Sequence, residues 1–377
     1  MNFPEELPEK LRKLGLRLVD QHAARTLVPA LGEESGYWFG GGNLVQEPSG
    51  SLLLCGRYRN PGDARKGTDA GERGLEFSIL RATNPSGPFE KIHSFSKADL
   101  SSDDASVVSI EGGCLLPSID GGAWELFVST EKQIPYPKNL IHFQKPGTGV
   151  WSIDCLSGDC SEPTSISAKN LTTVLSTSEG GLLHMKDPVA FRNADGFTQL
   201  VFCSHPFSWS SSNTGLATRE VTGDPFHLVS KSLLDRGPSW DVACVRVTER
   251  LLLPKLGILE NLPSLSLYFY DGAECLRSLD QNPRAARRAR GYSCEELGGL
   301  AWGFDHEFPK LRRLSQDFPL FVSPHASGCS RYVSASFLAD GTLAAAWQQV
   351  AADGSQPLVG HFLNAEEVAT TLGSKIN

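Results

Sequence analysis

The sequence has no apolar run long enough to cross a membrane, no paired-cysteine metal motif and no excess of basic residues. A membrane-spanning helix needs roughly 20 consecutive apolar residues, and no stretch of this chain reaches that length. Residues 1–20 mix acidic and basic side chains with leucine, so they lack the unbroken apolar core of a secretory signal peptide. We therefore expect a cytoplasmic protein that has no membrane partner.

The cysteines and the net charge argue against two further classes of protein. The chain has nine cysteines, an odd number, and several lie in apolar segments, so we expect mostly reduced thiols. Cys155 and Cys160 are spaced too widely for a CxxC pair and have no matching partner pair, which argues against a zinc site. The formal charge of -8 argues against a nucleic-acid partner. No motif indicates a metal or another cofactor, and no pattern indicates an oligomeric state.

The central part of the sequence contains a β-hairpin pattern between Leu182 and Pro206. Lys186-Asp187-Pro188 precedes an apolar run, a turn follows at Asn193-Ala194-Asp195-Gly196, and a second apolar run begins at Leu200. Apolar runs on both sides of an Asp-Gly turn are typical of a hairpin. Proline after Asp187 favours an extended backbone there and removes a donor from the sheet, which places Asp187 at the start of the first strand.

The same pattern occurs five times, centred near residues 45, 115, 190, 245 and 335. Each unit is a small sheet that needs neighbours to bury its faces, and radial repetition of such sheets is the arrangement of a β-propeller. We therefore predict an all-β fold, a five-bladed β-propeller over residues 35–377. A helical lead-in is predicted for residues 1–34, and a short closing helix is expected at 365–372.

In a propeller, the starts of the innermost strands converge at one end of the central channel. The repeats place Gly40, Glu111, Asp187, Asp241 and Arg331 at these positions. A single acid of this kind is more commonly a turn-capping residue, but three in one register predict a funnel with catalytic carboxylates. Like charge and exclusion of water are expected to push their pKa values apart, which is the condition for separate acid and base roles.

With this pattern the sequence resembles the five-bladed β-propeller glycoside hydrolases, the superfamily of arabinanases, xylosidases and invertase-like enzymes. The resemblance rests on the repeats and on Lys186-Asp187-Pro188-Val189, which is similar to that superfamily's Asp-Pro motif in a middle blade. It implies that Asp187 orients the sugar and modulates the pKa of the proton donor, and it is compatible with a structural cation in the channel. The superfamily usually has its base Asp in the first blade, where this chain has glycine at 40–42. We therefore assign Glu111 and Asp241 as the acid/base pair from their register alone.

Candidate substrate-binding residues flank these acids. Arg57 and Arg59 stand two apart at the end of a strand and share one face. The loop that follows them is basic but also carries acids, and such runs are more often solvated surface. A guanidinium group matches a carboxylate, sulfate or phosphate, so we expect an anionic substrate. The candidates are Arg57, Arg59, Arg73, His184, Lys186, Trp240 and Arg331.

The leading hypothesis is a glycoside hydrolase that acts on a small, anionic oligosaccharide or glycoside by acid/base catalysis in the funnel. Two alternatives stay open. One is a glycoside phosphorylase or transferase on the same fold, with the arginines binding phosphate. The other is a non-catalytic glycan-binding propeller, because a fold does not fix a function.

Overall fold

The computed structural model describes residues 3–60, 74–117, 123–276 and 295–373. Five antiparallel sheets surround a central axis, and the described part of the chain adds one short helix near each terminus. The predicted five-bladed β-propeller is therefore confirmed, and each of the five repeats supplies the innermost strand or strands of one blade. No helix within the described ranges is long and apolar enough to cross a membrane.

The first three blades each begin at the axis and proceed outward. Blade one contains β2 (Trp38–Gly40), β3 (Leu44–Gln46), β4 (Leu52–Arg59), β5 (Glu76–Ala82) and β6 (Glu90–Ser96). Blade two contains β7 (Val107–Pro117), β8 (Trp124–Lys132), β9 (Val150–Ser157) and β10 (Ser167–Leu175). Blade three contains β11 (His184–Arg192), β12 (Thr198–His205), β13 (Asn213–Arg219) and β14 (His227–Leu234).

The last two blades complete the ring. Blade four contains β15 (Cys244–Leu252), β16 (Leu265–Ala273), β17 (Leu297–Phe304) and β18 (Arg312–Arg313). Blade five contains β19 (Ser330–Phe337), β20 (Leu343–Gln349), β21 (Leu358–Leu363) and, as its outermost strand, β1 (Arg25–Val28). The helices are α1 (Leu7–Leu18) and α2 (Ala365–Leu372).

The innermost strands are irregular where they face the axis. The register of β7 with β8 shifts between Ile110 and Gly113, and that of β11 with β12 shifts between Lys186 and Val189. A β-bulge bends a strand and re-aims its side chains. Asp187 lies in the second bulge with a φ of 53°, a conformation that few residues other than glycine adopt. The predicted extended backbone at Asp187 is therefore wrong, and β11 begins three residues earlier, at His184. These bulges turn side chains into the channel at the same end of each strand.

The N-terminal segment closes the ring. β1 pairs with β21 in antiparallel register, with Thr26 opposite Val359. The predicted boundary after residue 34 therefore does not separate a lead-in from the propeller, because residues 25–28 complete blade five. Pairing the first strand with the last repeat joins the two ends of the chain, and the sequence pattern gave no signal for this long-range pairing.

Helix α1 packs its apolar face across the outside of blades four and five. Four leucines at helical spacing are fully buried there, and they are Leu7, Leu11, Leu14 and Leu18. Gly15 permits a close approach to the sheet, since a Cβ atom at that position would lie 2.2 Å from Leu300. Arg17 reaches across to α2 and donates a 2.6 Å hydrogen bond to Thr371. The helix thus packs against blades four and five and against α2.

Replacing Leu14 with alanine should destabilise the fold by about 2–5 kcal/mol, the usual cost of a large cavity in a packed core. Leu14 is 0% exposed, whereas Leu16 on the same helix is 39% exposed. Leu16→Ala is therefore the matched control and should change the free energy of unfolding by less than about 0.5 kcal/mol. Urea unfolding of both variants checks this, and equal effects would show that α1 does not stabilise the propeller.

Candidate active site

Glu111 lies in the β7 bulge and forms an ion pair with Arg57 of the neighbouring blade. Both side chains are nearly inaccessible, at 11% and 2% exposure. Burial opposes ionisation of Glu111, but the positive charges of Arg57, Lys186 and Arg59 outweigh it and hold the pKa of Glu111 well below its usual range. Glu111 is therefore a carboxylate at neutral pH. In that form it can accept a proton or attack a carbon, but it cannot donate a proton.

Asp187 is held at the axis by hydrogen bonds from two other blades. Its Oδ1 accepts from the backbone N–H of Gly112 at 3.1 Å and from the Tyr332 hydroxyl at 3.4 Å. Its own N–H donates to Ser129 Oγ at 2.7 Å. Position 112 requires glycine, because a Cβ atom there would lie 2.6 Å from Asp187 Oδ1. The carboxylate orientation is thus fixed before any ligand arrives.

Arg246 is the blade-four residue that reaches the axis. Its guanidinium lies 3.1 Å from Asp187 Oδ2, 2.7 Å from Asp271 and 3.0 Å from Glu296. Burial raises the pKa of Asp271 to about 6, although Arg246 opposes the shift. Burial also opposes the ionisation of Glu296, but Arg246 and Arg331 outweigh it and keep the pKa of Glu296 well below its usual range. Arg246 thus connects three carboxylates.

Three predicted arginines meet around one indole ring. The guanidinium carbons of Arg59 and Arg331 each lie 4.2 Å from the Trp38 ring centroid, and that of Arg57 lies 5.9 Å away. Arg331 also forms an ion pair with Glu296. These groups come from blades one and five, so three of the cluster's cations gather on the Trp38 side of the axis.

The structure does not bring Asp241 and Trp240 to this cluster. Asp241 precedes β15 and pairs with Arg313 at 3.1 Å, and burial raises its pKa. Trp240 stacks on Tyr270 with the ring centroids 5.6 Å apart. The register that predicts Asp241 at the axis requires a regular connection before the strand. The segment before β15 instead folds over the face of blade four. Position 246 therefore takes the place at the axis that the register had assigned to Asp241, whose catalytic role stays a prediction.

His184 and Lys186 lie beside Asp187 but differ in accessibility. Lys186 Nζ is 3.7 Å from Asp187 Oδ2. Burial opposes the charge on Lys186, but Asp187 and Glu111 outweigh it and raise its pKa. His184 has no exposed surface, and burial together with the charge of Lys186 lowers its pKa to about 3. His184 is therefore neutral and lies beneath the surface layer. The remaining candidate, Arg73, lies outside the described residues.

The carboxylates of the cluster are paired with cations, whereas the sequence register predicts carboxylates that repel one another. Within the described residues the cluster contains five cationic side chains and four carboxylates. They are Arg57, Arg59, Lys186, Arg246 and Arg331, with Glu111, Asp187, Asp271 and Glu296. The residues that the sequence did not indicate are Trp38, Arg246, Asp271, Glu296 and Tyr332. Arg246 and Asp271 lie on strands in which apolar and polar residues alternate. That alternation indicates only that the two positions face the interior and does not indicate a site.

A metal site is not evident in this cluster. Among the residues that the structure describes, no three His, Cys, Asp or Glu side chains are arranged to hold a metal ion. Each of the four carboxylates of the cluster has an arginine or lysine partner. The structural cation that the resemblance allows stays untested.

The other end of the channel opens into a cavity of about 480 Å³. Residues from the later parts of all five innermost strands line it, among them Asn43, Leu115, Ala190, Glu249 and Ala335. Glu249 accepts hydrogen bonds from Ser334 Oγ at 2.6 Å and from the Arg250 N–H at 2.9 Å. Burial raises the pKa of Glu249 to about 7.

Glu249 should therefore make stability depend on pH in a defined direction. Its folded pKa lies above the unfolded value of about 4.3, so the penalty for burying the charge is present above pH 7 and absent below pH 4. Glu249→Gln should be more stable than the parent at pH 8 by about 1–3 kcal/mol, and this difference should vanish near pH 4.

Urea unfolding across this pH range measures the effect of Glu249→Gln. The exposed Glu260 provides the control, because Glu260→Gln should give the same difference from the parent at both pH values. If the difference in free energy of unfolding between Glu249→Gln and the parent does not change with pH, the raised pKa of Glu249 is contradicted.

Solved structures share this fold. The chain is similar to a glycosyl hydrolase from Bacteroides ovatus, with 10% identity, a TM-score of 0.55 and coverage of 96% of this chain and 92% of the other. An endo-arabinase from Bacteroides thetaiotaomicron has 9% identity and a TM-score of 0.52, covering 90% and 97%. A GH43_1 enzyme from Xanthomonas citri complexed with xylotriose has 10% identity and a TM-score of 0.51, covering 95% of each chain. At this identity the likeness establishes the fold.

No protein-family model and no curated protein sequence matches the chain. The fold class of the chain, a five-bladed β-propeller, therefore rests on its own sheet topology and on its likeness to these solved structures.

Proposed function

We propose that this protein is a glycoside hydrolase that acts on a small anionic glycoside at the axis of the propeller. The observation that carries the proposal is the convergence of Glu111 and Asp187, from two neighbouring innermost strands, at one end of the channel. Gly112, which follows Glu111 in the chain, donates its N–H to Asp187 Oδ1 at 3.1 Å. The backbone next to one carboxylate therefore positions the other. The similar solved structures named as glycoside-cleaving enzymes support the choice of reaction.

Glu111 has the properties of the base or nucleophile of such a reaction. It is ionised because Arg57 pairs with it, and a carboxylate on one side of the sugar either activates water or attacks the anomeric carbon. Asp187 orients the sugar, since its own position is fixed by Gly112, Tyr332 and Arg246. The register predicts Glu111 and Asp241 as the acid/base pair, so with Glu111 as the base the donor in this scheme is Asp241, which pairs with Arg313 and whose pKa is raised by burial.

The arginines around Trp38 favour an anionic substrate. Arg57 is nearly inaccessible, but the Arg59 side chain is 19% exposed and lies only 4.0 Å from Glu111. A substrate carboxylate or sulfate placed near Arg59 would be held beside the carboxylate that performs the chemistry. A guanidinium fork binds such groups with two parallel hydrogen bonds, which also fixes their orientation.

The same arginines favour one alternative, a phosphorylase or transferase in which phosphate is the nucleophile. A panel of 4-nitrophenyl glycosides that includes uronic and sulfated sugars, run with and without phosphate, separates the reactions. Release of nitrophenol without phosphate supports the hydrolase, and release that requires phosphate selects the phosphorylase. Binding without any release would select a non-catalytic glycan-binding protein.

Glu111→Gln should lower kcat by about 10²–10⁴-fold on whichever glycoside is cleaved, the usual worth of general acid–base catalysis. The amide retains the shape of the carboxylate but loses the charge that makes it a base. Circular dichroism and thermal unfolding must show that the variant is folded, because Arg57 loses its charged partner. Near-normal turnover in a folded variant would remove Glu111 from the mechanism.

Arg59→Ala should raise KM for an anionic glycoside by about 10-fold, because one charge-assisted hydrogen bond is lost. KM for the neutral analogue of the same sugar should change by less than twofold. Arg25 makes a similar cation–π contact far from the axis, 4.9 Å over Phe362, so Arg25→Ala is the matched control. Equal losses on both substrates would assign Arg59 a structural role only.

A further inference from the structure

An aromatic surface extends outward from the candidate site over blades two and three. We define this aromatic shelf as Phe143, Phe207 and Trp209. Phe143 is 49% exposed and Trp209 is 36% exposed, and the Phe143 and Phe207 rings lie 4.7 Å apart. Large apolar side chains grouped at the surface typically mark a binding surface.

The shelf begins where the charged cluster ends. Trp209 stacks on His184 with the ring centroids 4.4 Å apart and an interplanar angle of 27°. Lys186 Nζ lies 5.9 Å from the Trp209 ring, and Lys186 is the neighbour of Asp187. The loops that carry the shelf connect β8 to β9 and β12 to β13, and both lie at the channel end where Asp187 lies.

The position of Trp209 is fixed by the residues beneath it. Its φ of 54° is uncommon for a tryptophan and is maintained by a turn in which its N–H donates to Pro206 at 3.0 Å. His205 supports the indole at 4.5 Å. His184 is neutral and hydrogen-bonded to the Tyr136 hydroxyl at 3.0 Å, so the imidazole ring stacked on the indole is uncharged. An exposed indole held in a strained conformation above a rigid layer is preorganised for contact.

We propose that the aromatic shelf binds the leaving-group side of the substrate, specifically a ring with a flat or C–H-rich face. This inference rests on the proposed function. The arginines around Trp38 lie on blades one and five, and the shelf lies on blades two and three, with Glu111 and Asp187 between them. A substrate whose charged sugar faces the arginines therefore extends its other half over Trp209.

Binding measurements test the shelf without requiring turnover. The panel glycoside that raises the unfolding temperature of the protein most identifies the sugar to use. The probes are the 4-nitrophenyl glycoside, the methyl glycoside and the disaccharide of that sugar. Calorimetric titrations use the Glu111→Gln protein, so that no probe is consumed, with and without a second substitution. The nitrophenyl probe carries an aromatic ring, the disaccharide carries a sugar ring, and the methyl glycoside carries neither.

Trp209→Ala should weaken binding of the nitrophenyl glycoside or the disaccharide by about 3- to 10-fold, the usual worth of one aromatic stacking contact. Binding of the methyl glycoside should change by less than twofold. Trp209→Phe should restore most of the loss, since it retains a ring at the same position. Phe143→Ala provides a second variant at a more exposed position, which removes little packing from the fold.

Phe318→Ala is the matched control, because Phe318 is a 55% exposed phenyl group that contacts Arg12 away from the channel. It should leave all three affinities unchanged. Loss confined to the nitrophenyl probe assigns the shelf to an aryl group, and loss confined to the disaccharide assigns it to a second sugar.

Three outcomes would overturn the proposal. The first is an equal loss of affinity for all three probes, and the second is no loss of affinity in folded Trp209→Ala and Phe143→Ala proteins. The third is that no probe binds at all. Ring-selective binding by a protein that cleaves none of the glycosides would instead overturn the proposed hydrolase and retain the shelf.

Discussion

A closed ring of contacts connects each blade to the next at the axis and sets how the five sheets are arranged around it. Ion pairs and buried hydrogen bonds are directional, so they fix the rotation of each sheet relative to its neighbours. In order around the axis, the contacts are Arg57 with Glu111, Gly112 with Asp187, Asp187 with Arg246, Glu296 with Arg331, and Arg331 with Trp38. Removal of one partner would leave a buried charge, which is costly in a low-dielectric interior.

The same ring determines the chemistry available at the axis. Because the carboxylates are paired with cations, Glu111 and Glu296 are ions at neutral pH rather than members of a proton-sharing pair. The three arginines around Trp38 lie on blades one and five, and the exposed rings of the aromatic shelf lie on blades two and three. A ligand that is anionic at one end and apolar at the other would satisfy both sides, and its orientation would be set by this asymmetry.

Much of the fold was predictable because its signals are local. Alternating apolar residues around an Asp-Gly turn identify a hairpin wherever they occur, and five copies indicate a ring. The same patterns placed Glu111 and Asp187 at strand starts near the axis. They were less useful for Asp241, because the segment before β15 folds over blade four and the connection from β15 to β16 is long. A register counted back from a turn is valid only where the loops are regular.

Local patterns predicted five sheets, a helix near each terminus and the placement of Glu111, Asp187 and Arg331 on innermost strands, since each depends on neighbours within a few residues. Which side chains meet depends instead on how the ring closes. Asp187 contacts Arg246, 59 residues away, and Tyr332, 145 residues away. Ring closure also places the strand at 25–28 at the edge of the last blade. Contacts between such distant residues arise when the ring closes and brings all the innermost strands to one axis, and no local pattern encodes them.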